Sequence, residues 1–264
     1  MKLSTLTFGV NAFIRYWFKA TNSHSIHSPF LFELYNEVIC SDDTYYAFSA
    51  IAALRAKLLR SNETIPVEKI GAGSMVLQAK HQTVSAVTKN FAVPEKYGQL
   101  LFRLVNHFNP MSIIELGTSL GISTLYLAMA DSKSKVITIE GSKATADQAM
   151  KHFNMMHASN ISVLTGSFDD TLPEALSRAG SPDFLFIDGN HAYEPTLRYF
   201  EQCLAVANNR TVFVFDDIHW SQGMERAWNE IVSHPSTTMC IDLFRLGIVF
   251  INAELSKEKF VLKW

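Results

Sequence analysis

The spacing of hydrophobic residues along the chain changes at Pro110. Before it, apolar positions recur at helical spacing and predict four helices, over Leu3–Phe18, Phe30–Cys40, Tyr45–Leu59 and Glu95–Phe108. Ser28 followed by Pro29 is typical of a helix start, with a capping side chain and proline in the first turn. The stretch 61–91 is less regular. The first part of the chain is therefore expected to be mainly helical.

After Pro110, short apolar runs alternate with amphipathic stretches. The runs SIIEL, KVITIE, ISVLTG, DFLFID and TVFVFDD predict strands, and helices are expected to start at Ser123, Ser142, Thr171, Glu194 and Gln222. Apolar strands that alternate with helices predict an α/β fold with a parallel sheet covered on both sides. TTMCIDLF and LGIVFINAE, separated only by Arg245, predict an antiparallel hairpin near the end, and FVLKW is a candidate further strand.

The composition agrees with a compact domain. Of the 264 residues, 48% are hydrophobic and 18% charged, which excludes a disordered or coiled-coil chain. The formal net charge of −2 gives no basic excess, so we expect no nucleic-acid partner. Three widely spaced cysteines form neither a disulfide framework nor a metal knuckle. No run reaches the roughly 18 apolar residues of a membrane span. These features predict a cytoplasmic protein without a membrane partner.

A glycine loop follows the first strand of the second half. Gly117 and Gly121 permit positive φ and close approach of a ligand to the backbone, while the hydroxyls of Thr118, Ser119 and Ser123 can bind a ligand or cap the next helix. Glu115 precedes the loop. Glu140 and Gly141 follow the second strand, about 20 residues further on, where a carboxylate can bind ribose hydroxyls. An ordinary turn with a surface glutamate is the alternative.

These segments resemble the class I S-adenosylmethionine-dependent methyltransferases, most closely the catechol and caffeoyl-CoA O-methyltransferase-like branch. The matching pieces are ELGTSLGIS, ITIEG, GSFDDTLPEAL, DFLFIDGNHAYE and FVFDDIHW, within residues 95–253. The resemblance implies a Rossmann-like, doubly wound, mostly parallel seven-stranded sheet of order 3-2-1-4-5-7-6. It implies S-adenosylmethionine as cofactor, bound by Glu115, Gly117, Thr118, Ser119, Gly121, Ser123, Glu140, Gly141, Ser167, Phe168 and Asp188.

Three aspartates follow the fourth and fifth predicted strands. Asp188, which is also a candidate catalytic residue together with His191, comes after one strand, and Asp216 and Asp217 come after the next. Neighbouring strands lie about 4.8 Å apart, so these carboxylates are expected to converge, and a hard cation such as Mg²⁺ would relieve their repulsion. In the family that this chain resembles, these positions hold the metal, usually as Asp, Asp and Asn, with Asp217 in the Asn position here. Helix capping and cofactor contacts are the alternative.

Further candidates lie close to the aspartates. His191 stands where metal-dependent members of the family place a catalytic lysine, and imidazole can accept a hydroxyl proton at neutral pH, although a helix-start histidine is the alternative. His219 is a candidate base, ligand or substrate contact. Asn190, Tyr193 and Trp220 are candidate substrate contacts. Asn190 is otherwise a turn former.

The resemblance predicts two parts of the chain with different functions. Residues 95–264 are expected to form the methyltransferase domain, and residues 1–94 a helical extension that acts as a cap, a substrate-side element or a dimer contact. The aromatic residues of the first helix must pack somewhere, either in a core or in a homodimer.

The expected reaction is metal-assisted O-methylation of a small-molecule hydroxyl. Two alternatives stay open: a metal-independent O- or N-methyltransferase with His191 or His219 as base, and a non-catalytic S-adenosylmethionine-binding module.

Overall fold

The computed structural model describes residues 3–66 and 81–264, and the chain divides into two compact units. The first unit comprises Met1–Ser41 and Gly180–Trp264, and the second comprises Asp42–Ala179. This division follows compactness. The predicted functional division, an extension over residues 1–94 and a catalytic domain over 95–264, is of a different kind and stays a prediction. In the described ranges, no helix is long and apolar enough to cross a membrane.

The first unit begins with short helical elements. They are helix α1 (Leu3–Lys19), a 3-10 turn (Ser23–Ser25), helix α2 (Pro29–Leu34) and a π-helical turn (Tyr35–Ile39). The capping prediction is confirmed, because the Ser28 side chain accepts a hydrogen bond from the Leu31 backbone N–H. The Tyr16 hydroxyl donates to the Leu262 carbonyl and that of Tyr35 to the Lys263 carbonyl. These bonds join the N-terminal helical elements to the residues that directly follow the last strand of the same unit.

The rest of the first unit is a mixed sheet with helices. Its elements are β6 (Phe184–Ile187), α9 (Tyr193–Leu204), β7 (Val212–Phe215), α10 (Gln222–Ser233), β8 (Met239–Asp242), β9 (Gly247–Phe250) and β10 (Glu258–Val261). The described strands lie in the order β6-β7-β9-β8-β10. The pairs β6–β7 and β8–β10 are parallel, whereas β9 is antiparallel to both β7 and β8. The predicted hairpin and further strand are thus confirmed.

The second unit carries a parallel sheet and a helical layer. Helix α3 (Tyr46–Leu58), strands β1 (Thr64–Pro66) and β2 (His81–Thr83), and helices α4 (Val84–Phe91) and α5 (Glu95–Phe108) come first. They are followed by β3 (Ser112–Leu116), α6 (Ile122–Ala130), β4 (Lys135–Glu140), α7 (Lys143–Met155), β5 (Ile161–Thr165) and α8 (Phe168–Ala179). Strands β3, β4 and β5 are parallel, with β4 in the middle. Counted from β3 as the first strand of the predicted sheet, the order β5-β4-β3 in the second unit is the predicted 3-2-1. The order β6-β7-β9-β8 in the first unit is the predicted 4-5-7-6.

Two local expectations differ from the structure. The stretch between α3 and α5 contains helix α4 and an antiparallel pair of three-residue strands, which are too short to show a hydrophobic period. Helix α8 begins at Phe168, not at Thr171, because the Ser167 side chain accepts the Asp170 backbone N–H and so starts the helix one turn earlier. The prediction of a helix start at Thr171 was wrong for that reason.

A buried aromatic and aliphatic cluster supports the sheet of the second unit. Phe48 of α3, Phe102 of α5 and Tyr126 of α6 are almost fully buried, with ring centroids 5.0 Å apart for Phe48 and Phe102 and 6.0 Å apart for Phe48 and Tyr126. Gly98 lets α5 approach α6 closely, since a Cβ there would lie 2.3 Å from the Tyr126 ring. This packing fixes α6 directly behind the glycine loop that precedes it.

Replacing Gly121 by alanine should destabilise the protein much more than the same change at Gly180. Both glycines have positive φ, 83° and 73°, but an added Cβ meets the Phe153 ring at 2.4 Å at Gly121 and nothing within 4 Å at Gly180. We expect Gly121→Ala to lower the free energy of unfolding by about 3 kcal/mol and Gly180→Ala by about 1 kcal/mol. Urea unfolding measures both, and equal losses would contradict the packing argument.

Candidate cofactor and acceptor sites

The glycine loop is fastened to the end of the neighbouring strand. Gly117 and Thr118 both donate their backbone N–H to the Ile139 carbonyl, at 3.0 and 3.2 Å, and Gly121 donates to Thr118 at 2.8 Å. The loop turns through positive φ at Gly117 (104°), Ser119 (48°) and Gly121 (83°). Two of these three positions are glycines, as the left-handed region favours. The predicted loop is therefore a rigid turn at the carboxyl end of β3.

Glu140 belongs to the same construction. It ends β4 and is half-buried, and its Oε2 accepts the Ser119 N–H at 2.8 Å while its Oε1 accepts the Ser142 N–H at 2.9 Å. Gly141 lies between those two turns. The carboxylate joins the glycine loop to the start of α7, and its role in binding a cofactor stays a prediction beside the alternative of an ordinary turn. Each carboxylate oxygen can accept more than one hydrogen bond, which leaves capacity for ribose hydroxyls.

Glu115 supports the loop from within the protein. Its side chain is fully buried, and its Oε2 accepts hydrogen bonds from the hydroxyls of Thr124 and Thr138. Thr138 also shares a hydrogen bond of 2.6 Å with Thr118. Burial raises the pKa of Glu115 to about 7, although nearby hydroxyls, including that of Ser123, oppose the rise. Glu115 and Ser123 thus lie under the loop, whereas Glu140 lies at its rim.

Ser167 and Phe168 stand at the start of α8, after β5. The Ser167 hydroxyl donates to Asp170 Oδ2 at 2.6 Å and accepts the Asp170 N–H, so this side chain is engaged as the helix cap. Phe168 is half-buried. Strands β3, β4 and β5 are parallel, with Glu140 opposite Thr165, so the three strand ends lie on one edge of the sheet. The predicted cofactor residues of the second unit are brought together at that edge.

The three aspartates converge in the first unit. Strands β6 and β7 are parallel with Ile187 opposite Phe215, and the Asp216 N–H donates to the Ile187 carbonyl at 3.0 Å. His191 Nε2 lies 3.5 Å from Asp188 Oδ1 and 4.0 Å from Asp217 Oδ2. The imidazole is about a quarter exposed and faces both carboxylates. The predicted grouping of these side chains is therefore present.

Arg245 completes this cluster, a role that the sequence reasoning missed. Its Nε donates to Asp216 Oδ1 at 2.8 Å and its Nη2 to Asp216 Oδ2 at 2.7 Å, while Nη2 lies 3.4 Å from Asp217 Oδ1. The Asp216 side chain is fully buried. In the sequence, Arg245 marked only the break between two strands. A single arginine between two apolar strand segments carries no local signal for this contact, which joins residues 29 positions apart.

The cluster does not fit the divalent cation that the resemblance implies. Both oxygens of Asp216 accept hydrogen bonds from one guanidinium, so the central acidic side chain already has a cation as its partner. Within residues 3–66 and 81–264, no group of three or more acidic, histidine or cysteine side chains is arranged to hold a metal ion. Mg²⁺ requires near-octahedral oxygen ligands at about 2.1 Å, which a guanidinium on the same carboxylate obstructs.

Charge in the cluster is balanced mainly by Arg245. Burial and the charge of Asp216 raise the pKa of Asp217, whereas Arg245 and His191 lower it. Burial by itself lowers the pKa of Arg245, but the hydrogen bonds and charge of Asp216, with Asp217 and Asp188, raise it above its usual range. The guanidinium therefore stays charged at any pH at which the protein folds.

His219 is held by a second acidic side chain. Its Nε2 lies 2.8 Å from Asp242 Oδ2, and its ring stacks on Phe244 with centroids 5.5 Å apart. Asp242 Oδ1 accepts the Phe244 N–H, which fixes Phe244 at a positive φ of 69°. In the described part of the chain, His219 Nδ1 is buried and has no hydrogen-bond partner. His219 is thus enclosed between the β8–β9 loop and its own segment.

The other predicted substrate contacts lie near these residues. Asn190 has a positive φ of 60° and donates to the Tyr199 hydroxyl at 3.1 Å. Tyr193, the first residue of α9, donates its hydroxyl to Glu230 Oε1 at 2.6 Å, with Arg226 4.0 Å above its ring. Trp220 is half exposed. Tyr193 is therefore engaged with α10, whereas Trp220 presents its ring to solvent.

The chain matches a family model described as "Methyltransferase domain" over residues 114–218. It is 29% identical over 146 residues to the catechol O-methyltransferase of Niastella koreensis, covering 54% of this chain and 65% of that protein. It is also 29% identical over 137 residues to the catechol O-methyltransferase of Mycobacterium tuberculosis, covering 51% of this chain and 60% of that protein. The chain thus spans less than two thirds of these relatives.

A solved structure shows the same fold. The O-methyltransferase from Bacillus cereus, in complex with SAH, superposes with a TM-score of 0.58 at 19% identity. The match covers 82% of this chain and 94% of that chain. The α/β Rossmann-like fold, with a mixed and mostly parallel sheet preceded by N-terminal helices, is therefore confirmed.

Burial of Glu115 predicts a measurable pH dependence of stability. Its pKa is about 7 in the folded protein against 4.5 when unfolded, so its contribution to stability is present below pH 4.5 and is lost as the pH rises towards 7. The loss is on the order of 3 kcal/mol. We expect Glu115→Gln to remove this decline in the free energy of unfolding, measured by urea unfolding at several pH values. The exposed Glu174, changed to Gln, is the control, and an unchanged slope in Glu115→Gln would contradict the assignment.

Proposed function

We propose that this chain is a class I S-adenosylmethionine-dependent methyltransferase of the catechol and caffeoyl-CoA O-methyltransferase branch, and that it methylates a small molecule; the match to the methyltransferase family model and the similarity to two catechol O-methyltransferases support this. The methyl group of S-adenosylmethionine is transferred to a hydroxyl oxygen. The carbon–sulfur bond breaks as the carbon–oxygen bond forms, its electron pair stays on sulfur, and S-adenosylhomocysteine leaves. The hydroxyl proton passes to a base of the protein.

The observation that carries the proposal is the bond between Glu140 and the glycine loop. A carboxylate held at 2.8 Å from the Ser119 N–H stands at the rim of a turn that glycine keeps open. In the proposed complex, Glu140 binds the ribose hydroxyls, and Gly117, Thr118 and Gly121 face the methionine part. Ser167 and Phe168 border the adenine. The remaining proposed cofactor residues of the second unit are Glu115, Ser119, Ser123 and Gly141, and Asp188 is the proposed cofactor residue of the first unit.

His191 is the proposed base. Its imidazole is partly exposed, and its Nε2 lies 3.5 Å from Asp188 Oδ1 and 4.0 Å from Asp217 Oδ2. His219 is the weaker candidate, because its Nε2 is bound to Asp242 and its Nδ1 is enclosed by protein. Trp220, Asn190 and Tyr193 are the proposed neighbours of the substrate. No step passes through a divalent cation, since Arg245 already binds Asp216.

The homodimer stays a prediction, and α1 would supply its contact. Among the described side chains of this helix, from residue 7 onwards, five large apolar ones are exposed, which is unusual for a helix that packs against its own domain. They are Val10, Phe13, Ile14, Trp17 and Phe18. On the same helix, Arg15 Nη2 donates to both carboxylate oxygens of Glu225 in α10, at 2.9 and 2.8 Å.

Calorimetric titration with S-adenosylhomocysteine tests cofactor binding directly. We expect binding at micromolar concentration, and Glu140→Ala should weaken it by about 30-fold or more because two charge-assisted hydrogen bonds to ribose are lost. Asp147→Ala, on an exposed part of α7, is the matched control and should bind as the wild type does. Absence of binding by the wild-type protein would refute the proposed function.

The choice of base is tested by two histidine variants. With the best acceptor from a panel of phenols and alcohols, His191→Gln should lower kcat by about 100-fold or more without changing the affinity for S-adenosylhomocysteine. His219→Gln should have a much smaller effect on kcat, beyond any loss of stability. Steady-state kinetics and calorimetry measure both quantities. A large loss of kcat in His219→Gln alone would reverse the assignment.

A further inference from the structure

Arg245 is presented by a short, well-defined loop. Leu243–Leu246 connects β8 to β9, with hydrogen bonds from the Leu243 N–H to the Leu246 carbonyl and from the Arg245 N–H to the Leu243 carbonyl, both at 2.9 Å. The Arg245 carbonyl accepts the Ile218 N–H at 3.2 Å, directly after Asp217. The backbone of Arg245 is thus anchored to the same segment that carries the carboxylates, so its side chain does not reach them by chance.

The contacts of the guanidinium are those of a built ion pair. It forms two parallel hydrogen bonds to Asp216, which is fully buried, and reaches Asp217 at 3.4 Å. A buried carboxylate without a cation would be strongly disfavoured, because it has lost its hydration. The planar fork of arginine matches a carboxylate in a way that the single ammonium of lysine does not.

We infer that Arg245 is the resident cation of this cluster, supplying the positive charge that a divalent metal would otherwise bring and closing the aspartates to such a metal. This role in the chemistry rests on the proposed function, whereas the closure to metals does not. Any divalent ion that binds Asp216 would have to displace both hydrogen bonds between this carboxylate and the partly buried guanidinium. Arg245 acts as a positioning residue, since its contacts are to the aspartates.

The inference narrows the class of acceptor. A metal at the aspartates would bind an acceptor through two adjacent oxygens, and so would select vicinal diols. With Arg245 in place of the metal, that chelation is not available, and one hydroxyl within reach of His191 is sufficient. The protein is therefore expected to methylate acceptors with a single hydroxyl at rates similar to those of the corresponding vicinal diols.

Binding of Mn²⁺, followed by electron paramagnetic resonance on the full chain after treatment with a chelator, tests the closure. The wild-type protein should not bind Mn²⁺ at the aspartates. Arg245→Ala should gain one site, with an affinity at least about tenfold higher than any binding of Mn²⁺ by the wild type. Arg245→Lys keeps a cation at the cluster and should gain none. The double variant Arg245→Ala/Asp216→Asn should lose the gained site, which locates it.

Stoichiometric binding of Mn²⁺ by the wild-type protein that Asp216→Asn abolishes would overturn the inference. This comparison of the wild type with Asp216→Asn does not require Arg245→Ala to fold. Thermal unfolding checks whether Arg245→Ala is folded. Titration of the same samples with S-adenosylhomocysteine separates the two claims. If the wild type does not bind S-adenosylhomocysteine, the proposed function is refuted and the metal result still stands. If the wild type binds S-adenosylhomocysteine and also binds Mn²⁺ at Asp216, only the inferred role of Arg245 is refuted.

Discussion

The two-pronged ion pair between Arg245 and the buried Asp216 is the constraint on which the carboxyl ends of β6 and β7 depend. It lets three carboxylates stand together at the ends of β6 and β7, where their mutual repulsion would otherwise be severe. It also ties the β8–β9 loop to the end of β7. From that loop, Phe244 reaches both His219 and the aromatic residues of α1, with ring centroids 5.1 Å from Phe13 and 5.2 Å from Tyr16. The ion pair of Arg245 therefore holds the β8–β9 loop against the end of β7, and Phe244 of that loop contacts α1.

The second unit depends on a different carboxylate in a comparable way. Glu140 accepts backbone N–H groups on both sides, so the glycine loop and the start of α7 are held by one side chain. Beneath them, the buried Glu115 is bound by threonine hydroxyls, and burial keeps its pKa near neutrality. These hydrogen bonds hold the glycine loop and the carboxyl end of β4 in one arrangement, and a site that is already ordered loses less entropy when a ligand binds.

Much of this architecture could be predicted from the sequence, because its signals are local. Strands such as KVITIE and SIIEL were located to the residue, since apolar runs between helical stretches have few alternative structures. The start of α8 was misplaced because Ser167 and Thr171 are both acceptable caps, and their surroundings decide between them. The strands β1 and β2 are too short to show a period.

The partner of the aspartates was beyond the reach of sequence reasoning for a physical reason. The proximity of Asp188, Asp216 and Asp217 followed from parallel neighbouring strands, and the need for a cation followed from their charge. Which cation it is depends on an antiparallel hairpin that brings Arg245 back over the end of β7, 28 or more positions later in the chain, in a tertiary contact. Resemblance to metal-dependent enzymes suggested a metal, whereas the side chain that this chain provides is an arginine.

Crystals grown with S-adenosylhomocysteine and Mn²⁺, with data collected at the manganese absorption edge, test the central claim most directly. The account predicts the cofactor product at the glycine loop with its ribose on Glu140, Arg245 on Asp216, and no anomalous peak at the three aspartates. A manganese peak ligated by Asp188, Asp216 and Asp217, with the Arg245 guanidinium displaced, would contradict it.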